Sequence, residues 1–292
     1  MKICIVIPYR GIGDIIFHLP IIRGLAKKYS TKINIITNKV NKAKYILKYE
    51  KLVNKIEYIN FERKNQIKKS FFFLKKINSL KLDICILTAP TKRLIIPLIF
   101  SNSKKKIFFK KNKEKDLSKY VLNQSKTELK NIKLIKDYRI NYFKNKISET
   151  NIFVSIDSHH DSNNWNQKYY IELITRLLKK KSINRIYINF APNKISRFKK
   201  IKNKFRKKNK ITFTYLFNFT KLINTMNNCK YIVGNESGPI CIGAALNKKV
   251  LSIYYPKHTN KSSLTINKKV KFFNSDVINY KVIISKILNI IK

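Results

Sequence analysis

Acidic residues are scarce in this chain: 15 Asp and Glu stand against 64 Lys and Arg in 292 residues, a formal net charge of +49. An excess of this size ordinarily points to nucleic acid. Yet the sequence lacks a zinc finger, an RNP motif and an Arg-rich helix, and its basic residues are mostly lysine, spread along the chain among abundant Asn and Ile. That pattern reads as compositional drift, as an AT-rich genome produces, with general affinity for anions and no specific nucleic-acid partner, a basic nucleic-acid-binding protein being the least favoured of three readings. Cysteine is also sparse. Cys4, Cys85, Cys229 and Cys241 contain no C-x-x-C pair and sit in or beside apolar runs, which excludes a disulfide framework and reads as buried thiols in a reducing cytosol. Long hydrophobic runs are missing too. The stretch Leu94 to Phe100 is among the longest, well short of the roughly 20 residues a membrane-spanning helix needs. After Lys2 the first apolar run is short and meets Pro8 and Arg10, unlike a signal peptide. The expected location is therefore cytoplasmic.

What the chain does have is length and alternation. Its 292 residues suit two domains, and 44% hydrophobic content supports two real cores. Strand-like and helix-like segments alternate throughout. Strands are expected at Lys2–Ile7, Ile33–Thr37, Ile56–Ile59, Asp83–Thr88, Asn151–Ser155, Ile186–Asn189, Ile211–Thr214, Tyr231–Val233 and Val250–Tyr254. Helices are expected at Ala43–Tyr49, Ile67–Ser79, Lys168–Lys181, Phe219–Asn228 and Val277–Ile291, with one long helix after the first strand. Lys104 to Ile147 is the most lysine-rich and least periodic stretch, so a boundary is placed at its end, giving domains 1–147 and 148–292. Two alternating halves of this kind define an α/β chain of two Rossmann-like parallel-sheet domains, with ligands at the carboxyl ends of the strands. The terminal helix, residues 277–291, is available to pack back on the first domain. Phe71, Phe72 and Phe73 are read as core, with apolar contact to a membrane as the alternative.

Two strand–turn–helix junctions carry chemistry. In Tyr231 to Leu246, an apolar strand breaks at Gly234 into Asn235-Glu236-Ser237-Gly238-Pro239 and passes into Cys241-Ile242-Gly243-Ala244-Ala245-Leu246. Such a junction presents unpaired amides and the positive end of a helix dipole, a seat for phosphate. Pro239 suits the first helical turn, since its missing N–H would be unpaired there anyway. At the other junction, Ile3–Ile7 runs into Pro8-Tyr9-Arg10-Gly11-Ile12-Gly13-Asp14. Two glycines let backbone approach a ligand or adopt positive φ, and Asp14 lies in the first helical turn, where a carboxylate is stabilised as a cap. The spacing is G-x-G-D, without the third glycine of the dinucleotide fingerprint.

These segments resemble glycosyltransferase family 9, the heptosyltransferase-like family. Gly11-Ile12-Gly13-Asp14 with Leu19-Pro20 is similar to its amino-terminal motif. Val233-Gly234-Asn235-Glu236-Ser237-Gly238-Pro239 with Ala244-Ala245-Leu246 is similar to its carboxyl-terminal one. Trp165, the only tryptophan, followed by Tyr170-Ile171-Glu172-Leu173, resembles a third stretch. The resemblance implies a GT-B architecture with a cleft between two domains, and an inverting, metal-independent transfer of heptose or a related sugar from a nucleotide-diphosphate donor, ADP-heptose foremost. The acceptor it implies is a lipopolysaccharide-core or surface-glycolipid hydroxyl. Asp14 would be the general base, with Arg10, Gly11, Gly13 and His18 on the acceptor side. Asn235, Glu236, Ser237, Gly238, Pro239 and Cys241 would seat the donor, flanked by a loop carrying Ser158, Asn163, Trp165 and Lys168. His18 lies four residues after Asp14, placed to orient it or to be satisfied by neighbouring backbone.

Three positions depart from the family pattern. Glu236 replaces an aspartate, lengthening the reach toward the sugar; Cys241 replaces a histidine; and Asn163 stands where the family has a phosphate-binding lysine, with Lys168 one turn on. These departures motivate a second reading, a sugar-nucleotide-binding relative with altered or lost catalysis. Asp157, His159, His160 and Asp161 form a cluster, but in one short loop with no second ligand group, so the loop reads as polar rather than metal-binding and no cofactor is expected. The implied setting is the inner face of the inner membrane, where a monomer would bind anionic lipid peripherally through its lysines.

Overall fold

The computed structural model describes residues 1–60, 66–110, 116–142, 150–158, 164–191, 195–214, 217–255, 263 and 266–291. The chain divides into two compact units, Met1–Asn141 and Tyr142–Lys292; the boundary expected at Ile147 falls outside the described residues.

The first unit is a parallel sheet of β1 (Ile3–Ile7), β2 (Ile33–Thr37), β3 (Val53–Tyr58), β4 (Ile84–Leu87) and β5 (Lys105–Phe108), in the order β3-β2-β1-β4-β5. The inner strands are continuous apolar runs because both faces of the sheet are covered. Cys4 and Val6 of β1, with Ile36, Cys85 and Leu87, face one side. There they meet Phe73 and Ile77 of α4 (Gln66–Ser79) and Leu94 and Leu98 of α5 (Lys92–Ile99). The three phenylalanines read as core therefore separate. Phe73 is buried, while Phe71 and Phe72, on the next positions round the helix, face solvent.

The long helix expected after β1 is two helices, α1 (Ile12–Phe17) and α2 (Leu19–Lys28). Pro20 is the cause: it has no amide to donate to the carbonyl one turn back, and its ring crowds that carbonyl. The helix restarts at His18, whose carbonyl accepts from both Ile21 and Ile22. α3 (Ala43–Ile46) and α6 (Leu117–Glu128) pack against α1. Both β5 and α6 lie inside the stretch read as the least periodic.

A buried ion pair ties the end of this unit to α2. Arg23 donates through Nε (3.1 Å) and Nη2 (2.6 Å) to Glu50 Oε2, and through Nη1 and Nη2 to the carbonyls of Asp137 (2.6 Å) and Arg139 (2.7 Å). Both partners are buried, so the guanidinium is worth little as a pair in isolation but much as the group that satisfies a buried carboxylate.

The second unit is a six-stranded parallel sheet of β6 (Thr150–Ser155), β7 (Ile183–Asn189), β8 (Ile211–Phe213), β9 (Tyr231–Asn235), β10 (Lys249–Tyr254) and β11 (Lys271–Asn274), ordered β11-β10-β9-β6-β7-β8. Its helices are α7 (Gln167–Leu178), α8 (Ile195–Phe205), α9 (Phe219–Asn227), α10 (Gly238–Ala245) and the terminal α11 (Tyr280–Ile290). The buried face of α11, Ile283, Ile284 and Ile287, belongs to this unit's own core. The helix packs on α7, and Lys180 Nζ donates to the carbonyls of Leu288 and Ile291 at its end. No helix among the described residues is long and apolar enough to cross a membrane.

Replacing Arg23 by Ala leaves the Glu50 carboxylate buried without its cation. The expected cost is about 3–5 kcal/mol, read as a lower urea midpoint, and Glu50→Gln in the same background should recover part of it.

Candidate functional site

Each sheet has one place where its strand order reverses. In the first unit, β1 leads outward to β2 and β3, while β4 leads the other way to β5, so the reversal lies between β1 and β4. In the second, it lies between β6 and β9. Parallel α/β sheets bind ligands in the crevice outside the carboxyl ends of the strands at such points. Both sequence motifs follow the strands that flank these two reversals.

In the first unit the turn after β1 is built around one carboxylate. Asp14 is the third residue of α1, and its Oδ2 accepts from the Gly11 amide at 2.6 Å, while its own amide donates to the Gly11 carbonyl at 3.2 Å. Gly11 is extended (φ −75°, ψ 144°), so positive φ is not what the glycine provides. Space is: a Cβ there would lie 2.8 Å from Asp14 Oδ2 and 2.9 Å from Oδ1. Asp14 is half-buried, and burial drives its carboxyl up to about 7 against the opposing pull of the Gly11 amide. Arg10 and Gly11 are exposed, while Gly13 is buried beneath the turn.

His18 is wholly buried, and Nδ1–H donates to the Asp14 carbonyl at 2.6 Å. Burial drives its pKa down to about 4, so the ring stays neutral near pH 7. It fixes the backbone of Asp14 rather than its carboxylate. The Tyr9 hydroxyl donates to the Thr88 carbonyl at 3.1 Å, linking the loops after β1 and β4 across the reversal. Neither Tyr9 nor Thr88 stands out in the sequence, because 79 positions separate them.

In the second unit the hub is Asn235, the last residue of β9, which is fully buried. Its Oδ1 accepts from the Trp165 amide and the Tyr170 hydroxyl, each at 2.9 Å. Its Nδ2 donates to the Ile156 carbonyl and to Asn164 Oδ1. A carboxamide has two donors and two lone pairs to offer, and all four are engaged within the protein. Asn235 thus ties Ile156, Asn164, Trp165 and Tyr170 to the end of β9. Gly234 makes this possible, since a Cβ there would lie 2.2 Å from the Ser155 carbonyl oxygen. Gly243 brings α10 onto the sheet in the same way, against Ile232.

Glu236 turns inward. Its carboxylate accepts from Ser252 Oγ (2.6 Å), Ser263 Oγ (2.8 Å) and the Ser263 amide (2.8 Å). Ser237 caps α10 in extended conformation, and its Oγ donates to the Asn235 carbonyl at 2.8 Å. Ser237, Gly238 and Pro239 are half-buried at the strand edge. Gly238 opens the helix and Pro239 follows it in the first turn, so the amides on offer are those of Gly238 and Ile240. Cys241 is buried one turn in.

The remaining predicted residues fall round this hub. Trp165 is buried, edge-on to Tyr170 with ring centroids 5.0 Å apart; it belongs to the core beneath the loop. The Ser158 amide donates to Asn164 Oδ1 at 2.6 Å. Lys168 is exposed, its Nζ 5.4 Å from the Tyr169 ring centroid. Asn163 lies outside the described residues, as do His159, His160 and Asp161 of the polar cluster. Among the described residues no group of three His, Cys, Asp or Glu side chains could hold a metal ion.

Solved structures share this fold. The chain superposes on E. coli ADP-heptose lipopolysaccharide heptosyltransferase II with a TM-score of 0.77 at 13% identity, covering 100% of this chain and 98% of that one. It superposes on E. coli heptosyltransferase WaaC with a TM-score of 0.75 at 14% identity, covering 99% of each. A putative UDP-N-acetylglucosamine 2-epimerase from Listeria monocytogenes matches at 0.60 and 11% identity, covering 99% of this chain and 87% of that one. The class is therefore a GT-B-type protein of two parallel-sheet α/β units. The model of glycosyltransferase family 9 (heptosyltransferase) matches residues 105–282, so the chain belongs to that family and is a glycosyltransferase. No curated protein sequence matches at a significant level. The matched stretch takes in the Asn235–Cys241 junction and begins after the Asp14 turn.

Asn235→Ala should unfasten the loop after β6. Four hydrogen bonds are lost in a buried setting, which predicts a loss of about 2–3 kcal/mol or more. Since Trp165 is the only tryptophan, a red-shifted emission in the folded variant reports the loop directly.

Proposed function

We propose that the chain moves heptose or a related sugar from a nucleotide-diphosphate donor to a hydroxyl of a lipopolysaccharide core or other surface glycolipid, inverting the anomeric centre without a divalent metal. The observation that carries this reading is Asp14. It is a carboxylate on a strand-edge turn at the reversal point of its sheet, held by one amide and poised at about 7, where a general base is most effective near neutral pH. Asp14 takes the acceptor proton as the acceptor oxygen bonds to the anomeric carbon. The carbon–oxygen bond to the diphosphate breaks on the opposite face, which inverts the centre. The departing charge falls to the first-turn amides of α10. Arg10, exposed on the Asp14 turn, offers a cation to an anionic acceptor.

E. coli WaaC binds ADP and ADP-2-deoxy-2-fluoro heptose, which makes ADP-heptose the first donor to test. The second reading, a sugar-nucleotide-binding relative with altered catalysis, draws on Glu236, whose carboxylate is engaged by Ser252 and Ser263. A protein of that kind would bind ADP yet turn over no donor. On the first reading the enzyme works as a monomer at the cytoplasmic face of the inner membrane, held peripherally by anionic lipid.

Turnover of ADP-heptose with a truncated lipopolysaccharide acceptor tests the proposal. Asp14→Asn should lower kcat by about 10²–10⁴, and unchanged turnover would remove Asp14 from the base role. The base must be unprotonated to act, so wild-type kcat/KM should rise with pH through about 7 and then level off. EDTA should leave the rate unaltered; a loss restored by magnesium would overturn the metal-free mechanism.

A further inference from the structure

The described residues include eleven large hydrophobic side chains that face solvent, and six of them cluster on two neighbouring helices of the first unit. On α4 these are Ile67 (89% exposed), Phe71 (71%) and Phe72 (55%); on α5 and its cap they are Ile96, Ile99 and Phe100 (72%). The two helices lie side by side and run the same way. Ser70 Oγ donates to the Arg93 carbonyl near their amino ends (3.0 Å), and the Asn102 amide donates to Asn78 Oδ1 beyond their carboxyl ends (2.9 Å). Each gives its opposite face to the core, through Phe73 and Ile77 on α4 and through Leu94 and Leu98 on α5. The exposed positions follow helical spacing: 67 and 71 on α4, and 96, 99 and 100 on α5. This makes a second, outward apolar face on an already buried pair.

That face carries a charge of one sign. Neither helix contains an acidic residue, whereas α4 has four lysines and α5 begins Lys92-Arg93. Lys68 and Lys75 are exposed and flank the phenylalanines, four positions from Phe72 and Phe71 respectively. Aromatic and aliphatic side chains rimmed by lysine suit the boundary between acyl chains and anionic headgroups. α4 and α5 follow the carboxyl ends of β3 and β4, the sheet edge that also carries Asp14, so Ile67 and Phe71 lie toward that edge.

We infer that the outer face of α4 and α5 docks on an anionic lipid bilayer, inserting Phe71, Phe72, Ile99 and Phe100 between headgroups with Lys68 and Lys75 at the phosphates. This deepens the glycolipid reading and rests on it for the acceptor's identity; the lipid binding itself is measured without any sugar nucleotide, so loss of turnover would leave it untouched.

The test is flotation of the full chain with vesicles of phosphatidylcholine alone or mixed with phosphatidylglycerol. A charge of +49 attracts any anionic vesicle at low salt, so the deciding arm is run at about 0.5 M NaCl, where screening acts within a few ångströms. Wild type should stay on the mixed vesicles there and leave the neutral ones. Phe71→Ser with Phe72→Ser, and separately Ile99→Ser with Phe100→Ser, should weaken that salt-resistant binding about tenfold or more. Val277→Ser with Val282→Ser, exposed hydrophobics of the second unit, should not. Lys68→Glu with Lys75→Glu should weaken binding at low salt beyond the effect of two charge reversals elsewhere. Equal binding by wild type and the double-Phe variant would overturn the inference, as would a concentration-dependent dimer lost in that variant with no vesicle binding. The substituted side chains are exposed, so unchanged melting temperatures are expected and serve as the folding control.

Discussion

The second unit depends on one carboxamide. Asn235 ends β9 at the point where the sheet's strand order reverses, and its four hydrogen bonds reach the end of β6, the loop that follows and the start of α7. Buried polar networks of this kind specify structure when every member is satisfied and are costly when one is missing. Because the bonds close on the protein itself, Ile156, Asn164, Trp165 and Tyr170 are tied to the end of β9. On the proposed reading, the amides of Gly238 and Ile240 would meet the donor diphosphate with little reorganisation left to make.

The first unit solves the complementary problem, keeping a carboxylate both fixed and basic. Tighter hydrogen bonding would have held Asp14 firmly but lowered its pKa; fuller exposure would have left it near the usual carboxylate range. A single amide from Gly11, partial burial and a neutral His18 beneath the backbone give fixation without acidification. The histidine contributes only because it is neutral, since a cation there would favour the ionised carboxylate and make it a weaker base.

Most of the sheet and both junctions were legible in the sequence, since each junction is a continuous string in which strand, turn and helix follow at once. Helices and strands dense in lysine were not. α8 places Phe198, Ile201 and Phe205 at helical spacing, yet the surrounding lysines hide the period; β5 is only four residues and begins Lys105-Lys106. The roles of single residues were the least legible. Asn235 and Glu236 read as donor contacts because they stand inside a binding motif, but their side chains close on Trp165, Tyr170, Ser252 and Ser263. Those partners lie 16 to 70 positions away, and no local pattern announces them. The phenylalanine triplet shows the same limit: three adjacent residues on a helix point in three directions, and only packing decides which is core.

Most of the glycines mark where the backbone has no room for a side chain. Only six occur in 292 residues. Four of the six, at 11, 24, 234 and 243, stand where a Cβ would come within 3.0 Å of a neighbouring atom. At these four positions the packing leaves no room for a side chain, so any other residue would force its neighbours to move. Two of the four, Gly11 and Gly234, stand at the Asp14 turn and at the strand end before Asn235, so the backbone of both junctions is shaped by the lack of a side chain.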